Sequence, residues 1–129
     1  MSEIRATTIS DETGNGPIAL TKQSAAKVWT NFNGTGTAVI NASLNASSLV
    51  DNATGRYTIN FTNSFSSTFY AFTLGGGNGR DGGNNCQSGG PRSWGGGPAA
   101  SSLSFSCVHH TGSEYNPSDA TLIINGDLA

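Results

Sequence analysis

The clearest alternation of apolar and polar residues lies in the segment 56–62. Every second residue there is large and apolar: Tyr57, Ile59 and Phe61. A period of two residues is typical of a β-strand with one buried face. The turn-forming run 51–55 comes directly before it, and Gly55 can adopt a positive φ. The pattern therefore predicts a hairpin that joins a strand at 46–50 to the strand at Tyr57.

Further segments predict extended chain by the same reasoning. They are the residues around Trp29 and Phe32, followed by a tight reversal at 33–36, and then 38–44, 69–74, 103–109 and 120–125. No stretch shows the sustained 3.6-residue apolar period and the caps of a helix. We therefore expect an all-β chain of seven or eight short strands. The most economical architecture is a small antiparallel β-sandwich, jelly-roll-like or related.

Two side-chain placements follow from these strands. Trp29 lies beside a strand and a turn, so we expect it to anchor the core of the sheet; a surface tryptophan that stacks on a sugar is the alternative. Along 69–74, Phe69 falls on one face of the strand, and Tyr70 and Phe72 fall on the other. Large apolar residues on both faces predict a strand that is buried on two sides, either between sheets or at a subunit contact.

The N-terminal segment 1–26 differs from the rest of the chain. Its periodicity is weak, and its few large apolar residues stand far apart: Ile4, Ile9, Ile18 and Leu20. Residues so spaced cannot form a core of their own, so we expect an attachment arm whose apolar residues contact a partner chain. A frayed terminus is the alternative. Residues 27–129 then form one β-sandwich domain, a size that allows a modest core.

The segment 75–97 is the richest in glycine and contains few large side chains. A loop of this length in a compact domain is either functional or disordered. Its large side chains are Arg80, Arg92 and Trp94, and both residue types are enriched at binding hot spots. We predict an exposed recognition loop in which these three residues contact a ligand or receptor. A flexible loop without a ligand is the alternative.

Composition narrows the classes of partner. Only 11% of the residues are charged and the net charge is −2, with the six basic residues scattered along the chain. A nucleic-acid or anionic-membrane surface needs a basic patch, so neither partner is expected. No apolar run is long enough to predict membrane insertion, and the first residues lack the apolar region of a signal peptide. Cys86 and Cys107 could pair in an oxidising environment or remain thiols.

The chain offers little that suggests catalysis. His109 and His110 are adjacent on a predicted strand, so their side chains point to opposite faces and cannot easily bind one metal ion. Asp119, His110 and a serine could be drawn as a triad, but no G-x-S-x-G turn surrounds a candidate serine. The acidic residues are dispersed singly. We therefore expect no catalytic residue, no metal, no cofactor and no enzymatic activity.

Two runs in the sequence carry a resemblance to a known family. They are KVWTNFNGTGT at 27–37 and DNATGRYTINF at 51–61. They closely resemble a block found in small tail-fibre-like and other virion proteins of bacteriophages, where it reads K-x-W-x-N-F-(N/D)-G-T-G-T and then D-N-x-T-G-x-Y-T-x-N-F. The likeness extends weakly to 9–11 and 124–127. It does not cover 65–115.

The resemblance implies a non-enzymatic structural component of a bacteriophage virion, made in the cytoplasm of the bacterial host. A tail fibre or fibre-like appendage subunit that presents the 75–97 loop is the first expectation. The resemblance further implies a homo-oligomer, with a homotrimer as the first expectation. It also implies that residues 1–26 join the chain to other virion proteins and that the chain can bind a host surface glycan. The alternatives are a capsid decoration or cement protein, and a carbohydrate-binding module that uses Trp94.

Overall fold

The computed structural model describes residues 25–76, 87–89, 97–109 and 112–129. Within these ranges the chain forms nine β-strands and no helix. The strands are β1 (Val28–Asn33), β2 (Val39–Leu44), β3 (Ala46–Ala53), β4 (Arg56–Phe61), β5 (Ala71–Gly76), β6 (Gln87–Gly89), β7 (Pro98–Ala99), β8 (Ser102–Val108) and β9 (Ala120–Asn125).

The strands form two antiparallel sheets. The first sheet has the order β2-β1-β9-β5, and the second has the order β3-β4-β8-β6, with β7 also paired to β8. Buried apolar residues from both sheets belong to one core cluster. The expected all-β antiparallel sandwich is therefore confirmed. The short strands β6 and β7, of three and two residues, are the ones that the sequence pattern did not predict.

Both predicted hairpins are present. β1 pairs with β2, and β3 pairs with β4 across a two-residue turn at which Gly55 has a φ of 69°. Between the hairpins, Asn45 has a φ of 56° and carries the chain from the first sheet to the second. Asparagine tolerates this left-handed conformation better than most residues. The Asn45 side chain also accepts a hydrogen bond from the backbone N–H of Asn63 at 2.7 Å, which holds the corner.

Aromatic residues from both sheets fill the core. Phe32 of the first sheet lies 5.2 Å from Tyr57 and 5.8 Å from Phe105 of the second, measured between ring centroids. These tilted and edge-on arrangements are favourable for aromatic pairs. A second cluster joins Phe61, Phe65 and Tyr70 beside the loop that precedes β5. The three strands that supply Phe32, Tyr57 and Phe105 are thereby fixed relative to one another.

Tyr70 completes the second cluster through its hydroxyl. The Tyr70 O–H lies 3.1 Å from the carbonyl oxygen of Ala99 and 3.0 Å from that of Ser102, so it can donate to either. Burial raises the pKa of Tyr70 to about 12. The neutral phenol thus links the start of β5 to the second sheet.

Two expected placements are wrong. Trp29 is 39% exposed, whereas Val28 and Phe32 on the opposite side of β1 are fully buried, so Trp29 points away from the core. Phe69 is 96% exposed and lies before β5, where the outward residues Ala71 and Thr73 are also exposed. Burial of 69–74 between two sheets is therefore wrong, because the sandwich has two layers and, among the described residues, the outward side of the first sheet carries no third layer in the single chain. Burial of that side at a subunit contact stays a prediction.

Thr30 is a polar exception inside the core. It is 1% exposed, and its hydroxyl oxygen has no hydrogen-bond partner among the described residues. A buried polar group without a partner costs stability. Thr58 is a useful contrast, because its hydroxyl lies 2.9 Å from that of Ser104 and accepts a hydrogen bond from Asn52 at 3.0 Å.

We expect Thr30→Val to raise the free energy of unfolding by about 1 kcal/mol, since valine keeps the shape and removes the unpartnered hydroxyl. Thr58→Val should lower it by about 1 kcal/mol, since that hydroxyl is hydrogen-bonded. Urea unfolding of both variants measures the difference. A Thr30→Val protein that is destabilised as much as the Thr58→Val protein would contradict the assignment.

Candidate contact surface

The contact residues predicted from sequence lie outside the described residues. This applies to Arg80, Arg92 and Trp94 of the glycine-rich segment and to Ile4, Ile9, Ile18 and Leu20 of the N-terminal segment. Within 75–97, the described residues 87–89 form β6, which pairs with β8. The arm and the recognition loop therefore stay predictions.

The described residues show a different candidate surface on the outward side of the first sheet. Trp29 pairs with Leu44 of β2 on one side and with Ile123 of β9 on the other. These three residues are 39%, 48% and 44% exposed. Side chains directly opposite one another on neighbouring strands are in contact range. The three residues therefore form a continuous apolar row across three strands, and we call the outward side of this sheet the Trp29 face.

The rest of the Trp29 face is uncharged. Its other outward positions on the four strands are Asn31, Asn33, Val39, Ala42, Ala71, Thr73, Gly75, Thr121 and Asn125. Monomeric proteins usually place charged residues on exposed sheet surfaces, which limits association. An apolar row without charged neighbours on its strands is typical of a contact surface.

A chain of polar side chains borders the apolar row. Asn41 donates a hydrogen bond to the Asn31 side-chain oxygen at 2.8 Å, and Asn31 donates to a carboxylate oxygen of Asp119 at 2.6 Å. Asn31 is two residues from Trp29 on the same strand and so shares its face. The Trp29 face thus combines an indole with amide groups, and the Asp119 carboxylate lies at its border, just before β9.

The outward side of the second sheet is different. The equivalent row there runs Val50, Thr58, Ser104, and the two hydroxyls are hydrogen-bonded to each other. Ser104 is only 3% exposed, so the β8 end of this row is buried and is not open surface. Asn60 donates to the hydroxyl of Ser48 at 2.8 Å in the next row. Val50, 42% exposed, is the large apolar side chain of this row. Among the described strand residues, the large exposed apolar side chains therefore lie mainly on the Trp29 face.

The phase of β1 is the sequence signal that could have predicted the outward orientation of Trp29. Val28, Thr30 and Phe32 alternate with Trp29, Asn31 and Asn33. Only one of these two sets can face the core. The second set contains two asparagines, which are rarely buried, so the phase favours an outward tryptophan.

The two runs that resemble virion proteins, 27–37 and 51–61, come together around Asn116, in the segment before β9. The Asn116 side-chain oxygen accepts hydrogen bonds from the Gly55 N–H at 2.6 Å and from the Tyr57 hydroxyl at 2.8 Å. The next residue, Pro117, accepts from the Gly34 N–H at 2.7 Å through its carbonyl oxygen. We call these contacts the hairpin clamp, because they tie the β1–β2 turn and the β3–β4 turn to one segment.

Two glycines of the resembling runs are required by this packing. A side chain at Gly34 would collide with the Tyr57 ring and hydroxyl. A Cβ at Gly55 would lie 2.7 Å from the carbonyl oxygen of Cys107 and 2.7 Å from the backbone nitrogen of Tyr115. The glycines of the motif therefore have a structural role in the described part of the fold.

Arg56 and Glu114 form an ion pair next to the hairpin clamp. The Arg56 Nε donates to a carboxylate oxygen of Glu114 at 2.8 Å. This hydrogen bond raises the pKa of Arg56. Both side chains are partly exposed, so the pair contributes little to stability. It joins the β3–β4 turn to the segment that contains Asn116.

Two further features bear on chemistry. Among the described residues, no three histidine, cysteine, aspartate or glutamate side chains are grouped so that they could hold a metal ion. The same part of the chain contains no helix with the length and apolar character needed to span a bilayer.

Comparison with protein-family models, with curated proteins and with solved structures found no match to this chain.

We expect Gly55→Ala to lower the free energy of unfolding by about 3 kcal/mol, because it adds a collision with fixed backbone atoms to the strain of a positive φ. Gly36→Ala is the matched control, since Gly36 has a φ of 66° and a Cβ added there would meet no atom within 4 Å. The control should cost about 1 kcal/mol. Equal losses in chemical denaturation would contradict the close packing around Gly55.

Proposed function

We propose that this chain is a non-enzymatic structural subunit of a bacteriophage virion that works as a homo-oligomer. A tail fibre or fibre-like appendage is its first assignment, and a capsid decoration protein is the alternative. The resemblance of residues 27–37 and 51–61 supports the virion part of the proposal. The Trp29 face supports the assembly part, and it is the observation that carries the proposal.

The reasoning from the Trp29 face is energetic. Leu44, Trp29 and Ile123 keep between 39% and 48% of their surface in water in the single chain. Covering apolar surface is favourable by about 25 cal/mol for each Å² removed from water. A protein that assembles gains this free energy from its neighbours, whereas a solitary protein does not. The location of the row on a sheet surface suits contact with another protein.

The resembling runs fit the same proposal. Phe32 and Tyr57 from these runs pack together in the core, and Gly34 and Gly55 permit the hairpin clamp. In this chain the motif specifies a stable sandwich with two fixed turns. A stable scaffold that presents surfaces to neighbours is what a structural subunit requires.

Electron microscopy and quantitative mass spectrometry of purified particles test the proposal. Particles of the phage that encodes this chain should contain it in a fixed copy number, visible as density on the tail or the head. A chain that is abundant in infected cells and missing from complete particles would contradict the virion assignment.

The N-terminal arm has its own test in the full-length chain. Ile9→Asp together with Ile18→Asp should reduce the copy number in particles about tenfold, because charged residues replace the apolar contacts that the arm is proposed to make. Ser10→Asp adds a charge next to Ile9 without removing an apolar contact, and should leave the copy number unchanged. Normal incorporation of the double variant would contradict attachment through the arm.

A carbohydrate-binding module is the second candidate. Trp94, the ring expected from sequence, lies outside the described residues, but exposed Trp29 beside Asn31, Asn41 and Asp119 offers a stacking ring with hydrogen-bonding neighbours. Glycan-array binding that is lost with Trp29→Ala or with Trp94→Ala would favour this candidate and identify the ring involved. Binding that survives both changes would remove both tryptophans as the platform.

A further inference from the structure

We propose that the Trp29 face packs against the Trp29 face of a second copy of this chain. The inference rests on the proposed function, since it names the partner that covers the surface on which that function depends. Leu44, Trp29 and Ile123 would form the apolar centre of the contact. The amide and hydroxyl side chains around them would form its rim.

The side chains of the rim suit contact between identical surfaces. The amide and hydroxyl side chains of the rim both donate and accept hydrogen bonds; they are Asn31, Asn33, Thr73, Thr121 and Asn125. Asn31, Asn33 and Thr121 already make part of these hydrogen bonds within the chain. When two copies of such a surface meet, donors on one copy can bond to acceptors on the other. Two identical surfaces of lysines or carboxylates would instead place like charges against each other. A contact in which each copy uses the same surface has two-fold symmetry.

The charged residues nearest to the face agree with this symmetry. Lys27 immediately precedes β1, and its backbone N–H bonds to the carbonyl oxygen of Ile124 at 2.9 Å. Asp119 lies near the other end of β1, where it accepts from Asn31. A two-fold axis in the plane of contact and perpendicular to the strands brings Lys27 of one copy towards Asp119 of the other. Opposite charges then meet at both ends of the pair.

The area of the Trp29 face sets the expected affinity of the pair. It covers four strands of six residues each. With strands about 4.8 Å apart and about 3.3 Å per residue, it measures roughly 19 by 20 Å, or about 380 Å². A standard stable interface buries about 800 Å² on each partner. We therefore expect a reversible pair in dilute solution that becomes effective where neighbouring copies are held together.

Two-fold pairing differs from the three copies that the bacteriophage resemblance implies. Face-to-face contact groups the copies in pairs, so the mass of the purified assembly distinguishes the two. Sedimentation velocity of the full chain over about 5 to 200 µM covers the range in which a weak pair forms. The expected result is a concentration-dependent shift from the 13.2 kDa chain to twice that mass.

Ile123→Lys and Leu44→Lys should each weaken pairing about tenfold or more, because a charge enters the apolar centre of the contact. Both residues are well exposed in the single chain, so the sandwich should fold, which circular dichroism checks. Val50→Lys is the matched control: Val50 is 42% exposed on the second sheet, and the variant should pair like the unchanged protein.

Three results would overturn the inference: a single chain throughout the concentration range, a three-copy assembly, or equal weakening by Val50→Lys. A single chain would also be the result if residues 1–26 of the same chain or a saccharide were the true occupant of the face. The proposed function fails separately, by absence of the chain from particles. A chain that is present in particles and does not pair would leave the virion assignment standing and remove this contact.

Discussion

The structure depends on two neighbouring residues, Asn116 and Pro117, whose oxygen atoms receive hydrogen bonds from two distant parts of the chain. Asn116 Oδ1 binds the Gly55 N–H and the Tyr57 hydroxyl, and the adjacent Pro117 carbonyl binds the Gly34 N–H. Each hairpin alone is marginally stable in water. Fixing both turns to one segment, directly before β9, sets the position at which β9 enters the first sheet between β1 and β5. The orientation of the Trp29 face follows from that placement.

The two sides of the sandwich have different chemistry, and the functional proposal depends on this difference. Polar side chains bond to one another on both sheets, as Thr58 does with Ser104 on the second and Asn41 with Asn31 on the first. The first sheet also exposes Leu44, Trp29 and Ile123 in one row. A one-sided apolar surface on a sheet supports the proposal that the chain assembles with other proteins. The resemblance to virion proteins and the Trp29 face support the same proposal, and Trp29 belongs to both, since it lies in the run 27–37.

Much of the fold could be predicted from the sequence, because local patterns encode it. The alternation at Tyr57, Ile59 and Phe61 and the glycine at 55 were enough for the β3–β4 hairpin. The expected burial of Trp29 was wrong, because residue type alone predicts a buried tryptophan, whereas the phase of β1 places Trp29 on the outward side with Asn31 and Asn33. The hairpin clamp could not be predicted, since Asn116 lies 61 and 59 residues from its partners Gly55 and Tyr57. The exposed row could not be predicted for the same reason, because strand register, and not local sequence, brings Leu44 and Ile123 beside Trp29.

Hydroxyl-radical oxidation of Trp29 tests most directly the claim that the Trp29 face is covered in the assembly. The oxidation rate is measured on the peptide that contains Trp29, in intact particles and in the dilute, isolated chain. If the outward side of the first sheet is covered in the assembly, the indole of Trp29 should be oxidised several-fold more slowly in particles. The peptide that contains Phe69, which is 96% exposed and lies off the strands, serves as the internal reference. Equal rates for Trp29 in both samples would show that this surface remains in water, and would contradict the account.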